Sequence, residues 1–261
     1  MDAGIKPPEK LSYEELEMQN EQLRHDLERA AVREKFAWLT MVETSRRLQA
    51  SSASIKAAVS SLLNYDIFWD GANQHEFLVT INASIDHVSD LVKLVALESR
   101  VEAAALELKR EPHFLPEILS GAYMHSLRRF PKLDLKIDLP EEGSLVEVDY
   151  SYMTLALDLL FSVLEPRTGK LELQISAYEE ANCWMVQFSG LDLALVTQIM
   201  DMFAYRIQPG VINNYSSENL LKLHIACEIL QLQDIQALVE EEKTETVRFR
   251  VPAVAGKSGV Q

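Results

Sequence analysis

The groups in this sequence that could carry a proton, a phosphoryl group or a metal are its six histidines, its two cysteines and its many carboxylates. His87 lies in "IDHVSD" between Asp86 and Asp90, whose charges favour the imidazolium, a form without the lone pair that a nucleophile needs. No activating Glu or Asn-Thr pair sits one turn away, so His87 reads as an exposed surface histidine. His224 and Cys227 in "LHIAC" stand three apart and could share a metal, but two donors leave a tetrahedral site half empty. His125 falls in a helical stretch, where a packing or surface role is expected. Cys183 and Cys227 fall in predicted strand and helix, which suits reduced core thiols of a cytoplasmic protein and not a disulfide framework. The basic pairs Arg46-Arg47 and Arg128-Arg129 are too short to overcome a net charge of −15, so nucleic acid and anionic lipid are excluded as partners. No stretch approaches ~18 uninterrupted apolar residues, and "MDAGIKPPEK" has no apolar leader core. The expectation is a cytoplasmic protein that does not insert into membranes and needs neither metal nor cofactor.

The elements that position these groups fall into two parts. Residues 1–10, with Pro7-Pro8, read as a disordered lead-in. A heptad series then runs through Asn20, Leu27, Glu34, Met41, Leu48, Ile55 and Leu62, with a companion series through Leu16, Leu23, Ala30, Ala37, Thr44, Ser51 and Ala58. Such a seam needs a partner helix, and Asn20 at a core position is a device for fixing register in a two-stranded coil. Asp70-Gly71 breaks the pattern as a turn, and a second helix follows from about Gln74, with a stripe at Ile81, Ile85, Val88, Val92 and Val95. Residues 11–110 are therefore expected to form a coiled coil and a helical hairpin, and pairing two hairpins gives a dimeric four-helix bundle. From 111 to 255 the pattern changes. "HFLPEILSGAYMHSLRRF", "YSYMTLALDLLFSVL" and "NLLKLHIACEILQLQ" read as helices, while "LDLKIDLP", "LELQISAY", "CWMVQFSG" and "TETVRFRVP" alternate as strands. That order predicts an α+β chain whose second part is a helix-covered mixed sheet, with a short tail at 256–261.

The stretch "DHVSDLVKLVALESRVEAAALELKREPHFLPEIL" resembles the second helix of the dimerisation and phosphotransfer hairpin of sensor histidine kinases, running into their Bergerat-type ATPase domain. "VEVDYSYMTLALDLL" resembles the helix bearing the N box, "MFAYR" the F box and "TVRFRVP" the final strand. The resemblance implies an α/β-sandwich ATPase-like domain behind the hairpin, and it allows each functional position to be checked in turn. In "VETSRRLQASSASI", Arg46 stands where the phosphorylated histidine belongs, Arg47 where the adjacent acid belongs, and Ala50-Ser51 where Thr-Pro belongs. Arginine is not a nucleophile at physiological pH, and no histidine occurs between His25 and His75.

The nucleotide positions depart in the same way. The N box gives Asp158 and Ser162, with no asparagine from Ala83 to Ala181. The loop whose acid reads adenine and whose glycines admit the base reads "GLDLAL", where Asp192 fits only in a register slipped by two and Ala194 and Val196 then replace glycines. The second glycine box reads "NLLKLHIA", and no glycine lies between Val211 and Ala255 to form a phosphate cradle cheaply. The resemblance with these losses implies a catalytically inactive, histidine-kinase-like signalling adaptor and no enzyme. It would be a homodimer along Asn20, Leu27, Met41, Leu48, Ile55 and Leu62, with Arg46, Arg47 and Gln49 as a face for a response regulator or an active kinase. The alternative is a divergent histidine kinase or a histidine phosphotransferase in a phosphorelay, with His87 as the unorthodox acceptor.

Overall fold

The structure, a computed structural model, describes residues 13–64, 71–103, 105–166, 169–204, 217–238 and 245–258. The expected lead-in at 1–10 therefore lies outside the described residues. Contacts divide the chain into two compact units, Met1–Leu39 and Thr40–Gln261. Helix α1 (Tyr13–Asn64) runs unbroken for 52 residues, as a stretch free of glycine and proline allows. Within the first unit, Leu16, Met18, Leu23 and Leu27 are exposed.

In the second unit, α2 (Gly71–Glu102) starts at the glycine of the expected turn, whose preceding residues lie outside the described ones. Thr44, Ser51 and Ala58, seven apart on α1, are buried, while Met41 is 70% exposed and Leu48, Ile55 and Leu62 are half-buried. On α2 the expected stripe needs correction. Ile85, Val92 and Val95 are exposed, and the buried line is Leu91, Leu94, Glu98 and Val101. The reason is tertiary: α2 packs against α6 (Ser217–Gln231), which covers a face that the heptad pattern leaves aside.

The chain then enters a mixed sheet with strand order β1-β3-β7-β5-β4-β2 and β6 paired onto β7. The strands are β1 (Glu111–Phe114), β2 (Leu133–Asp138), β3 (Ser144–Val148), β4 (Leu171–Glu180), β5 (Cys183–Ser189), β6 (Gln236–Leu238) and β7 (Thr246–Ser258). β2 and β4 pair in parallel, Leu133 opposite Leu171, and the remaining pairings are antiparallel. Ala181 and Asn182 both adopt positive φ, the two-residue turn that lets β4 fold straight back onto β5. β7 continues past Ala255, with Ser258 opposite Ser144, into the stretch expected as a tail.

Helices α3 (Leu115–Arg129), α4 (Tyr150–Leu164), α5 (Leu193–Phe203) and α6 bury their apolar faces where they meet one another and the sheet: Ile118, Leu119, Leu157, Leu160, Phe161 and Ile225 are all at most 4% exposed. Asp149 caps α4 by accepting the Tyr152 N–H at 3.0 Å, and Pro116 sits in the first turn of α3, where its missing N–H leaves no bond unmade. Sequence periodicity identifies β2, β4, β5, β7, α3, α4 and α6. It misses β1, β3, β6 and α5, and the family resemblance places Val146–Val148 with a helix where the structure has strand. No helix among the described residues is long and apolar enough to cross a membrane.

Candidate functional site

The site region is built on α4, the turn after β5, and α6. Along α4, Leu160, Val163 and Leu164 point to one side, where they meet Phe188 of β5, Leu191 and Leu195. Phe249 of β7 and Leu223 of α6 close the same space, leaving a void of about 10 Å³. That is no more than one water's worth, and its lining is wholly apolar. Leu191, Leu195 and Leu223 are each at most 3% exposed, so the chain's own side chains occupy the volume between α4 and the sheet.

The turn after β5 explains why. Gly190 has φ +93, and a Cβ built there would stand 2.5 Å from the Glu172 carbonyl oxygen of β4. Its N–H and that of Leu191 both donate to the Glu245 carbonyl at 3.1 Å, which draws the turn down on the sheet. Any side chain at 190, a carboxylate included, collides with backbone. Asp192 does not face the apolar void. It is exposed and caps α5, accepting the Ala194 N–H at 3.0 Å.

The other side of α4 borders a cavity of about 410 Å³ shared with α2, the end of α3 and the start of α6. Asp158 and Ser162 line it, four residues apart on α4. The Asp158 carboxylate is held from α3: Oδ2 accepts from Arg129, and Oδ1 lies 3.4 Å from His125 Nδ1. Ser162 Oγ is buried and makes no hydrogen bond among the described residues. His87 lines this cavity too and is half-buried, so the expectation of an exposed histidine is corrected: it shares the cavity wall with Glu218 and Lys222 and does not stand on a free surface.

Glu218, in the first turn of α6, is the hub of that wall. Its Oε2 accepts from Arg47 Nη1 at 2.7 Å, and its Oε1 lies 2.8 Å from Lys222 Nζ. Burial pushes the carboxyl's pKa up, but the Lys222 hydrogen bond and the positive charges of Lys222, Arg47 and His87 outweigh it and hold the group below the ordinary glutamate value. So of the three residues expected as a docking face, Arg46 and Gln49 are exposed, while Arg47 is half-buried and engaged within its own chain. The seam residues Asn20 and Leu27 are exposed in the first unit.

Glu98 is the functional-type residue that the sequence does not single out. Its carboxylate is 7% exposed, lies 3.2 Å from His224 Nε2, and has no hydrogen-bond donor in good geometry among the described residues. The available signal is the spacing Leu91, Leu94, Glu98, Val101, a charge at a position where the helix period asks for an apolar residue. His224 Nε2 faces Glu98, and no group of three metal-ligating side chains occurs among the described residues. Burial and the charge of Glu228 push the Cys227 thiol far up, so it stays protonated.

No protein-family model and no curated protein matches this sequence. Solved structures do match in shape. The Acinetobacter baumannii histidine kinase AdeS superposes with a TM-score of 0.56 at 14% identity, over 80% of this chain and 98% of AdeS. Histidine kinase ThkA in complex with the response regulator protein TrrA gives 0.58 at 15%, over 89% of this chain and 66% of that chain. Full-length ShkA in complex with AMPPNP gives 0.53 at 15%, over 85% of this chain, which spans 47% of ShkA. At such identities the likeness is one of fold: a helical hairpin followed by the ATPase-type sandwich of sensor histidine kinases.

Proposed function

We propose that this chain is a catalytically silent member of the histidine-kinase fold that acts as a signalling adaptor: a cytoplasmic homodimer that binds a two-component partner, a response regulator or an active kinase. The observation that carries the reading is the packed void beside α4. The resemblance puts the base-reading loop at 190–195, on this side of α4, and there Leu191, Leu195 and Leu223 leave a void of only about 10 Å³. The turn at Gly190 argues the same way, because a base-reading acid cannot be restored at 190 without moving β4.

The partner class rests on shape and on one structural neighbour: ThkA was solved with the response regulator protein TrrA. Dimerisation is supported by what the single chain leaves uncovered. Thr44, Ser51 and Ala58 are buried within the chain, whereas Met41 on α1 and Leu78, Ile85 and Val92 on α2, the last three again seven apart, face solvent. Covering such side chains is worth ~1.5 to 3 kcal/mol each, enough over two hairpins to offset the entropy of association. Light scattering is then expected to report about twice the 29.6 kDa chain mass.

The test of silence is incubation of the full chain with labelled ATP and Mg²⁺. The expected result is no acid-labile phosphate on the protein, and none on Arg46→His, because an acceptor without a nucleotide site has no donor. Label on either protein would overturn the reading, and label at His87 supplied by another phosphoprotein would favour the phosphorelay reading instead.

A further inference from the structure

Two contacts join the helical hairpin to α6, one through Glu218 and one through His224 and Glu98. Arg47 of α1 reaches Glu218 in the first turn of α6 at 2.7 Å. Six residues along the same helix, His224 reaches Glu98 of α2 at 3.2 Å. At 1.5 Å per residue the two contacts are about 9 Å apart along α6, so they fix its rotation as well as its position. The same helices bury Leu91 and Leu94 of α2 and Leu221 of α6. The connection leaving α2 is pinned as well: the Lys109 N–H donates to Asp149 at 2.8 Å, and Arg110 pairs with Asp234 at 2.6 Å. A polar residue in an apolar stripe has no packing advantage, and neither carboxyl oxygen of Glu98 makes a hydrogen bond among the described residues, so that His224 Nε2, 3.2 Å away, is the group it faces. What it supplies is specificity of docking, a role for which buried polar groups are known.

We propose that Arg47–Glu218 and Glu98–His224 form a two-point clasp that locks the sheet-bearing part of the chain onto its own hairpin in one fixed pose, so that the two move as a single body. The arginine in the acid position beside the missing acceptor then has a present role: it is the strap of the clasp. The clasp does not depend on the adaptor reading, since a chain that bound nucleotide could be clasped too.

Hydrogen exchange on the full chain tests it, with Arg47→Glu, Glu218→Arg and the double swap, and with Arg47→Gln as the milder break. Amides of α2 from Leu91 to Glu102, of α6 from Leu220 to His224 and of the connection 105–110 report the clasp; those of β4 and β5 report the fold. Each single variant is expected to exchange about tenfold faster in the clasp segments, the loss of one charged hydrogen bond, with the sheet unchanged, and the double swap to return towards the parent. His224→Gln should speed the same segments. Unchanged exchange in all single variants would overturn the clasp. So would a double swap as fast as the singles, or acceleration spread through β4 and β5, which would make the pairs ordinary folding contacts.

Discussion

Helix α4 borders two spaces that have gone opposite ways. On one side Phe188, Leu191, Leu195 and Phe249 close a void to about 10 Å³. On the other, Asp158, Glu218, Lys222 and His87 line a cavity of about 410 Å³. The difference follows from the forces available to each. Apolar surface is non-directional and gains from any contact, so larger side chains and one backbone turn suffice to convert a slot into core. Ionised groups resist such closure, because dehydration without a partner costs more than packing returns. They stay open and pair instead: Arg129 with Asp158, Lys222 and Arg47 with Glu218. One side of α4 is therefore core, and the other is the joint between hairpin and sheet.

The largest effect should come from reopening the closed side. Phe188→Ala removes a ring packed edge-on against Phe249, with centroids 5.5 Å apart, and is expected to cost about 3–5 kcal/mol in urea unfolding. Leu155→Ala, at the half-buried wall of the open cavity, should cost less than half as much, since solvent can fill the gap. Equal losses would erase the distinction between the two sides.

Next is the buried pair. His224→Leu leaves the buried Glu98 carboxyl without the imidazole that faces it at 3.2 Å, at an expected cost of about 1–3 kcal/mol, while adding Glu98→Leu should recover most of it. A double-mutant cycle on urea midpoints measures the coupling, and strictly additive losses would show that the two side chains do not interact.

The smallest effect is the pH dependence of Glu218. Its folded carboxyl titrates below the ordinary value, so its contribution is complete above about pH 4.3 and is lost as pH falls through the lower folded value. The parent should therefore exceed Glu218→Gln by about 1 kcal/mol or less near pH 7, and the gap should close in acid. A gap that widened in acid would reverse the sign of the shift.

Much of this is legible from composition and period. α4 can be read from Tyr150 to Leu164, because its apolar residues recur at helical spacing along the whole stretch. Arg46 and Arg47 are legible as departures from an acceptor pattern because their place is fixed by neighbours in the same helix. The short strands β1, β3 and β6 are not, since three to five residues give alternation too little length to register. Gly190 can be read as a missing acid but not as a forbidden position; that needs its φ and the nearby Glu172 carbonyl. Glu98 and the half-buried place of His87 depend on α6, far along the chain, and no local pattern announces such a neighbour.

Catalytic silence requires that the slot beside α4 be closed to nucleotide, and calorimetric titration of the full chain with Mg·ATP measures that directly. The prediction is no saturable heat up to about 1 mM ligand, while a binding curve with Kd below about 100 µM would contradict it.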